Sequence, residues 1–242
     1  MIFQKKLSFD NIKKYIIDIF FPNRCPFCSR VIKWNEACCE KCIDEIPFIS
    51  TEFCIKCGKE DCICNETKQY YDSCVSMVYY SGIVKKGIVN FKLDKAVNLI
   101  DVFENDIYKK LSQMIRICDI DMVTSVPMNK SAKLNRGYNQ ADIIAFKVSK
   151  IINKPAKADV LIKSRNDIMQ HELNRYERAK AVKGLFSVNA KHSSDIDGKV
   201  ILICDDVTTT GSTLNECAYI LKQHGAKAVY CFTIAYTQLN KE

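Results

Sequence analysis

Along the second half of this chain, strand-length runs rich in apolar residues alternate with apolar stripes of helical period. Residues 200 to 204, Val-Ile-Leu-Ile-Cys, have no polar position, the pattern of a strand covered on both faces. After a hydroxyl-rich stretch, Leu214, Cys217, Ala218 and Leu221 recur at i, i+3, i+4 and i+7, and Gly225 stands where such a helix would end. The same plan occurs upstream. Residues 122 to 126, Met-Val-Thr-Ser-Val, read as a buried strand ending at Pro127, and a helix over residues 139 to 152 presents Ile144, Val148, Ile151 and Ile152. Residues 74 to 80 read as a further strand, and 83 to 118 as helices interrupted near Asp94. Strands alternating with helices predict an α/β fold, a parallel sheet flanked by helices. Residues 1 to 22 mix Lys and Asp with bulky apolar residues and read as an amphipathic helix packed on the protein through Ile12, Ile16, Ile19 and Phe20; such a helix would also suit a membrane surface.

The candidate chemistry sits where the strand at 200 to 204 meets its helix. Asp205 and Asp206 follow the strand, at the end where open α/β sheets place ligands. Ionised carboxylates accept hydrogen bonds from vicinal sugar hydroxyls. Thr209, Thr210, Gly211, Ser212 and Thr213 then precede the helix, where outward backbone amides, hydroxyls and a glycine can surround a phosphate. One end of the motif reads sugar and the other phosphate. Other phosphate motifs fit worse. There is no GxGxxG, and although Gly82 and Gly87 have P-loop spacing, Ile88 and Val89 stand where Lys and Ser/Thr are required. In the stretch PMNKSAKLNRGYNQ, read as a loop, Lys130, Lys133 and Arg136 supply cationic donors and Gly137 allows close approach to a pyrophosphate.

Nine of the fourteen cysteines fall between residues 25 and 64. Cys25 and Cys28 form one CxxC and Cys39 and Cys42 another, the spacing of a four-thiolate zinc site. Cys54 and Cys57, followed by Cys62 and Cys64, make a candidate second site. Cys38 adjoins Cys39, and spacing favours Cys39 as the ligand. No export signal is evident, which argues for zinc rather than disulfides and for a cytoplasmic protein. Closed sites of this kind are structural. No apolar run is long enough to cross a bilayer.

The chain has 36 Lys and Arg against 28 Asp and Glu, a net charge of +8. Residues 127 to 183 hold 13 basic and 5 acidic residues, so an anionic partner is expected there. Residues 1 to 65 hold 10 and 9, too balanced for phosphate-backbone binding by charge alone.

DDVTTTGST resembles the phosphoribosyl pyrophosphate (PRPP) motif of type I phosphoribosyltransferases. SVPMNKSAKLNRGYNQA, with the block carrying Arg165, Gln170, Leu173, Glu177, Arg178, Gly184 and Phe186, is similar to the ComF family, whose members join an amino-terminal zinc ribbon to a phosphoribosyltransferase-like domain. Ala181 departs from the Asn common there. The resemblance implies a double zinc ribbon at 23 to 68 with one or two structural zinc ions, a phosphoribosyltransferase-like domain at 69 to 242, and PRPP bound with magnesium. It implies that Asp205 and Asp206 grip the ribose, that 209 to 213 hold the 5′-phosphate, and that Lys130, Lys133 and Arg136 face the pyrophosphate while Arg165 covers the site. His171, in that covering block, is a candidate proton donor. The phosphoribosyl acceptor is not identified by any residue. The family's link to competence and DNA uptake implies single-stranded DNA or a competence helicase as partner, and a non-catalytic PRPP sensor is the other reading.

Overall fold

The computed structural model describes residues 18–49, 53–54, 56–59, 62, 64, 68–93, 96–163 and 182–238. Its strands are β1 (Ser73–Tyr79), β2 (Met122–Ser125), β3 (Leu161–Lys163), β4 (Phe186–Val188), β5 (Val200–Thr208) and β6 (Ala228–Tyr236). Its helices are α1 (Glu40–Asp44), α2 (Gly82–Lys92), α3 (Glu104–Ser112), α4 (Lys130–Arg136), α5 (Gln140–Ile151) and α6 (Ser212–Gln223), with a tighter 3-10 segment at Val97–Phe103. A four-stranded sheet runs β1-β6-β5-β2, parallel throughout, and β3 and β4 pair antiparallel beside it.

Strand periodicity divides the core. Leu202 and Cys204 of β5 join Phe232 and Ile234 of β6 under α2, α3 and α5, while Ile201, Ile203, Val229 and Cys231 face α6. Both faces of the central strands are therefore covered, which is why residues 200 to 204 carry no polar position. Because α5 follows β2 on one face and α6 follows β5 on the other, the carboxyl ends of these neighbouring strands diverge into helices on opposite sides. That divergence opens a crevice, the usual ligand position in an open α/β sheet.

Three expectations need correction. The strand expected to stop at residue 204 continues to Thr208, because β6 is nine residues long and keeps pairing through Asp205↔Thr233, Val207↔Ala235 and Thr208↔Tyr236. PMNKSAKLNRGYNQ is not simply a loop. Asn129 accepts from the Ser131 amide and starts α4, and Gly137, at φ 85°, ends it in the left-handed conformation that glycine tolerates. Ile19 and Phe20 do not pack on the core; they are exposed, and Asp18 instead accepts from the Asn23 amide at 2.6 Å. Ile12 and Ile16 lie outside the described residues.

The cysteine-rich segment shares the main core. Cys25, Phe27, Ile32, Cys39, Cys42 and Ile46 pack into the same cluster as Val84, Ile88 and Leu99. At Gly87 of α2, an added Cβ would lie 2.6 Å from a Phe27 ring carbon, so only a residue without a side chain lets the helix lie on that ring.

Candidate functional site

β5 outruns β2. The last β2 pair is Ser125↔Cys204, so Asp205 and Asp206 project beyond the neighbouring strand at the mouth of the crevice. Each carboxylate also braces the backbone there: Asp205 accepts from the Asp206 amide at 2.8 Å and Asp206 from the Val207 amide at 2.7 Å. A cavity of about 220 Å³ opens against them, lined also by Lys92, Arg136, Gln140 and Lys163. Lys92, the last residue of α2, forms an ion pair with Asp206 at 2.9 Å. Burial pulls the Lys92 ammonium down, but Asp206 and then Asp205 more than reverse this, so its pKa is raised and it stays charged. Gln140 is 2 % exposed; its Oε1 accepts from Arg136 at 2.7 Å, and its Nε2 has no hydrogen-bond partner among the described residues.

Burial pushes the Asp205 carboxyl up to about 8, with the Asp206 charge adding to the shift. A carboxyl that holds its proton longer in the fold than in the unfolded chain stabilises most at low pH, and that contribution fades as pH climbs from the ordinary carboxylate range toward 8. Asp205→Asn, neutral at every pH, is therefore expected to melt higher than the parent at pH 7. The gap should widen between pH 4 and 8 and then level off, each kcal/mol appearing as about 2–4 °C. Melting curves across that range measure it; parallel curves would show that Asp205 titrates normally.

The phosphate-loop candidates lie at the start of α6. Gly211 is the helix N-cap at φ 85°, and Thr210 shares a 2.8 Å hydroxyl contact with Ser212 and accepts from its amide at 3.3 Å. Of the proposed pyrophosphate cations, only Arg136 borders the cavity. Lys133 is drawn to Asp142 at 3.0 Å, and Lys130 opens α4, whose residues are all at least partly exposed. Arg165 and His171 lie outside the described residues, as do Gln170, Leu173, Glu177, Arg178 and Ala181. Gly184 donates its amide to Glu216 of α6 at 2.7 Å, and Phe186 opens β4. Lys92 and Gln140 were not singled out from sequence. Lys92 carries no motif signal, and Gln140 lies in RGYNQ, where the cations and glycine carry the recognisable signal.

Both cysteine sets gather their sulfurs. Cys25, Cys28, Cys39 and Cys42, and separately Cys54, Cys57, Cys62 and Cys64, have ligand atoms within 4.8 Å of one another. Sulfurs at about 2.3 Å from a tetrahedral zinc are about 3.8 Å apart, and Cys28 and Cys39 are 3.7 Å apart. Cys38 is outside the set, and burial pushes its thiol up to about 11. The two CxxC turns share a geometry. The Ser29 amide donates to Cys25 O and the Cys25 amide to Arg30 O; equivalently, Gly58 donates to Cys54 O and Cys54 to Lys59 O. Burial raises the Cys25 and Cys54 thiols, but backbone donors within and around these turns, joined at Cys54 by the Cys62 thiol, outweigh it and bring each to about 7, toward the thiolate that zinc requires. These clusters are structural zinc sites.

A larger cavity, about 640 Å³, lies between the first zinc site and α2, bordered by Arg30, Lys41, Lys85 and Lys86 with Glu45 as the acidic member.

A parallel sheet with a ligand crevice at its carboxyl end, joined to paired four-cysteine sites, defines a phosphoribosyltransferase-like fold with an amino-terminal zinc ribbon. Residues 16–75 match the double zinc ribbon domain and residues 134–241 the phosphoribosyl transferase domain. The chain is similar to competence protein F of Haemophilus influenzae (25 % identity, covering 89 % of this chain and 98 % of that protein). It is also similar to DNA utilization protein YhgH of Escherichia coli K12 (24 %; 88 % and 90 %) and to competence protein ComFC of Bacillus subtilis 168 (24 %; 84 % and 86 %). The resemblance to the ComF family is borne out.

Proposed function

We propose that the chain binds magnesium PRPP in the crevice between β2 and β5 and transfers its phosphoribosyl group with release of pyrophosphate, in a role linked to competence and DNA uptake. The observation that carries this reading is the convergence of Asp205, Asp206, Lys92 and Arg136 on one cavity; residues 209 to 213 do not line it, but follow Asp206 directly in the chain and lead into α6. The carboxylates would accept from the ribose hydroxyls, the backbone amides and hydroxyls of 209 to 213 would hold the 5′-phosphate, and Arg136 with Lys92 would face the pyrophosphate. Lys130 and Lys133 would join once a polyanion competes with Asp142 for Lys133, and Arg165 would cover the site. Two carboxylates on the cavity wall suit a hard cation held largely by substrate oxygens and water. Magnesium arriving with PRPP would neutralise charge on the leaving pyrophosphate, while Asp206, and Asp205 once ionised, would favour positive charge developing at the anomeric carbon.

Calorimetry of magnesium PRPP binding tests the assignment, and pyrophosphate release across a panel of acceptors separates transferase from sensor. Absence of binding at millimolar PRPP would overturn the assignment; binding without release on any acceptor would favour the sensor.

A second reading, a single-stranded DNA accessory protein, is favoured by the four cations of the larger cavity, none of which forms an ion pair among the described residues. Binding there should weaken with salt, and neutralising Lys85 and Lys86 together should reduce the log–log salt slope by about 1.4, at about 0.7 per phosphate contact on a single strand. An unchanged slope would exclude this cavity as the DNA site.

A further inference from the structure

The loop assigned to the 5′-phosphate is braced from the zinc ribbon. Lys59, directly after the Cys54–Cys57 turn, is only 6 % exposed, and its Nζ donates to the Thr209 carbonyl at 2.6 Å, linking residues 150 apart in sequence. The first zinc turn has the same hydrogen bonds, but its equivalent cation, Arg30, is exposed and borders the large cavity. The difference lies in docking. Gly58, at φ 69°, presses on β1 so closely that an added Cβ would lie 2.2 Å from the Cys74 carbonyl oxygen, and the Cys74 amide donates to Lys56 O at 2.9 Å. The turn is thereby seated on the sheet with its lysine directed at the loop. The linker supports the same place: Asn215 of α6 accepts from the Tyr70 amide and donates to Lys68 O, and Tyr71 lies behind Gly211.

Thr209 C=O and Thr210 N–H belong to one planar trans peptide, so they point in opposite directions. Holding the carbonyl toward Lys59 turns the Thr210 amide away from the ribbon, into the loop where an anion would sit.

We propose that Lys59 is a positioning residue for the phosphate loop, and that through it the second zinc site sets the affinity of the crevice for a sugar 5-phosphate. This rests on the PRPP reading of the crevice. Loss of the second zinc would loosen the Cys54–Cys57 turn, release the Thr209 carbonyl and weaken phosphate binding without touching any group in the ligand cavity.

The test uses the full zinc-loaded chain and two probes, ribose 5-phosphate for the loop and magnesium pyrophosphate for the Lys92–Arg136 end. Lys59→Met is expected to weaken ribose 5-phosphate binding about tenfold or more, the scale of a lost charge-assisted hydrogen bond, with pyrophosphate affinity and zinc content unchanged. Lys59→Arg, which keeps the charge, should recover part of the loss. A merely structural role would weaken both probes together or release zinc, and that result, like equal ribose 5-phosphate affinity in Lys59→Met, overturns the proposal. Should Lys59→Met fail to fold, hydrogen exchange on the parent protein decides: ribose 5-phosphate should protect the turn around Cys57 as well as residues 208 to 214, and protection of the loop alone overturns it. A parent that binds neither PRPP nor ribose 5-phosphate would sink the PRPP reading itself; a parent that binds both while Lys59→Met binds as well sinks only the role of Lys59.

Discussion

Replacing Asp205 and Asp206 together by Asn is expected to lower the affinity for magnesium PRPP by about a hundredfold or more, equivalent to about 2.7 kcal/mol. The loss at the ribose outweighs a gain at the pyrophosphate. Each Asn keeps one carbonyl acceptor but loses the charge that strengthens hydrogen bonds from the ribose hydroxyls, whereas Asp206→Asn frees Lys92 from its 2.9 Å ion pair to face the pyrophosphate. Since Asp205 holds its proton up to about 8, ribose binding that requires the ionised form should release a proton near neutral pH, seen as a buffer-dependent calorimetric enthalpy. The double variant should lose this release with its affinity while remaining folded. Unchanged affinity would remove both residues from the site.

Zinc removal should have the largest effect on the fold. Structural zinc sites contribute about 10–16 kcal/mol of apparent binding energy, against a total stability of about 5–15 kcal/mol for a typical domain. Here the ligands are part of the main core, since Cys25, Cys39 and Cys42 are buried with Phe27 among the α2 side chains. Chelation, or Cys39→Ser, should therefore destabilise the sheet's α2 face as well as the ribbon, with a large drop in melting temperature and binding of a hydrophobic dye. Metal analysis should find two zinc ions per chain. A chain without zinc, or one whose melting is indifferent to chelator, would contradict this.

The elements legible from sequence were those whose signal is local. The apolar run at 200 to 204, the α6 stripe and the first two CxxC pairs each carry their pattern within a few residues. α4 has no buried residue and therefore no apolar stripe to reveal it; its caps, Asn129 and Gly137, are the signal that the sequence offers. The extension of β5 through two aspartates is imposed by β6, an instance of tertiary pairing overriding the poor strand preference of Asp. Of the residues bordering the cavity, Asp205, Asp206 and Arg136 stand out as candidates in the sequence and Lys92 does not. Lys92 and Lys59 meet Asp206 and Thr209 only when distant segments are folded together. Likewise, the near-neutral charge of residues 1 to 65 hid a basic surface, because Arg30 and Lys41 are completed by Lys85 and Lys86 from α2.

The fit of Phe27 against Gly87 and Leu99 bears on how this architecture can change. A ribbon tethered by a free linker could be exchanged for another amino-terminal module while the sheet kept its chemistry. Here the head supplies a ring to a socket in the body, so a replacement must also provide a side chain of matching shape at that point. Swapping heads would require paired changes on both sides of the seam, and deleting the head would leave an open apolar socket on α2.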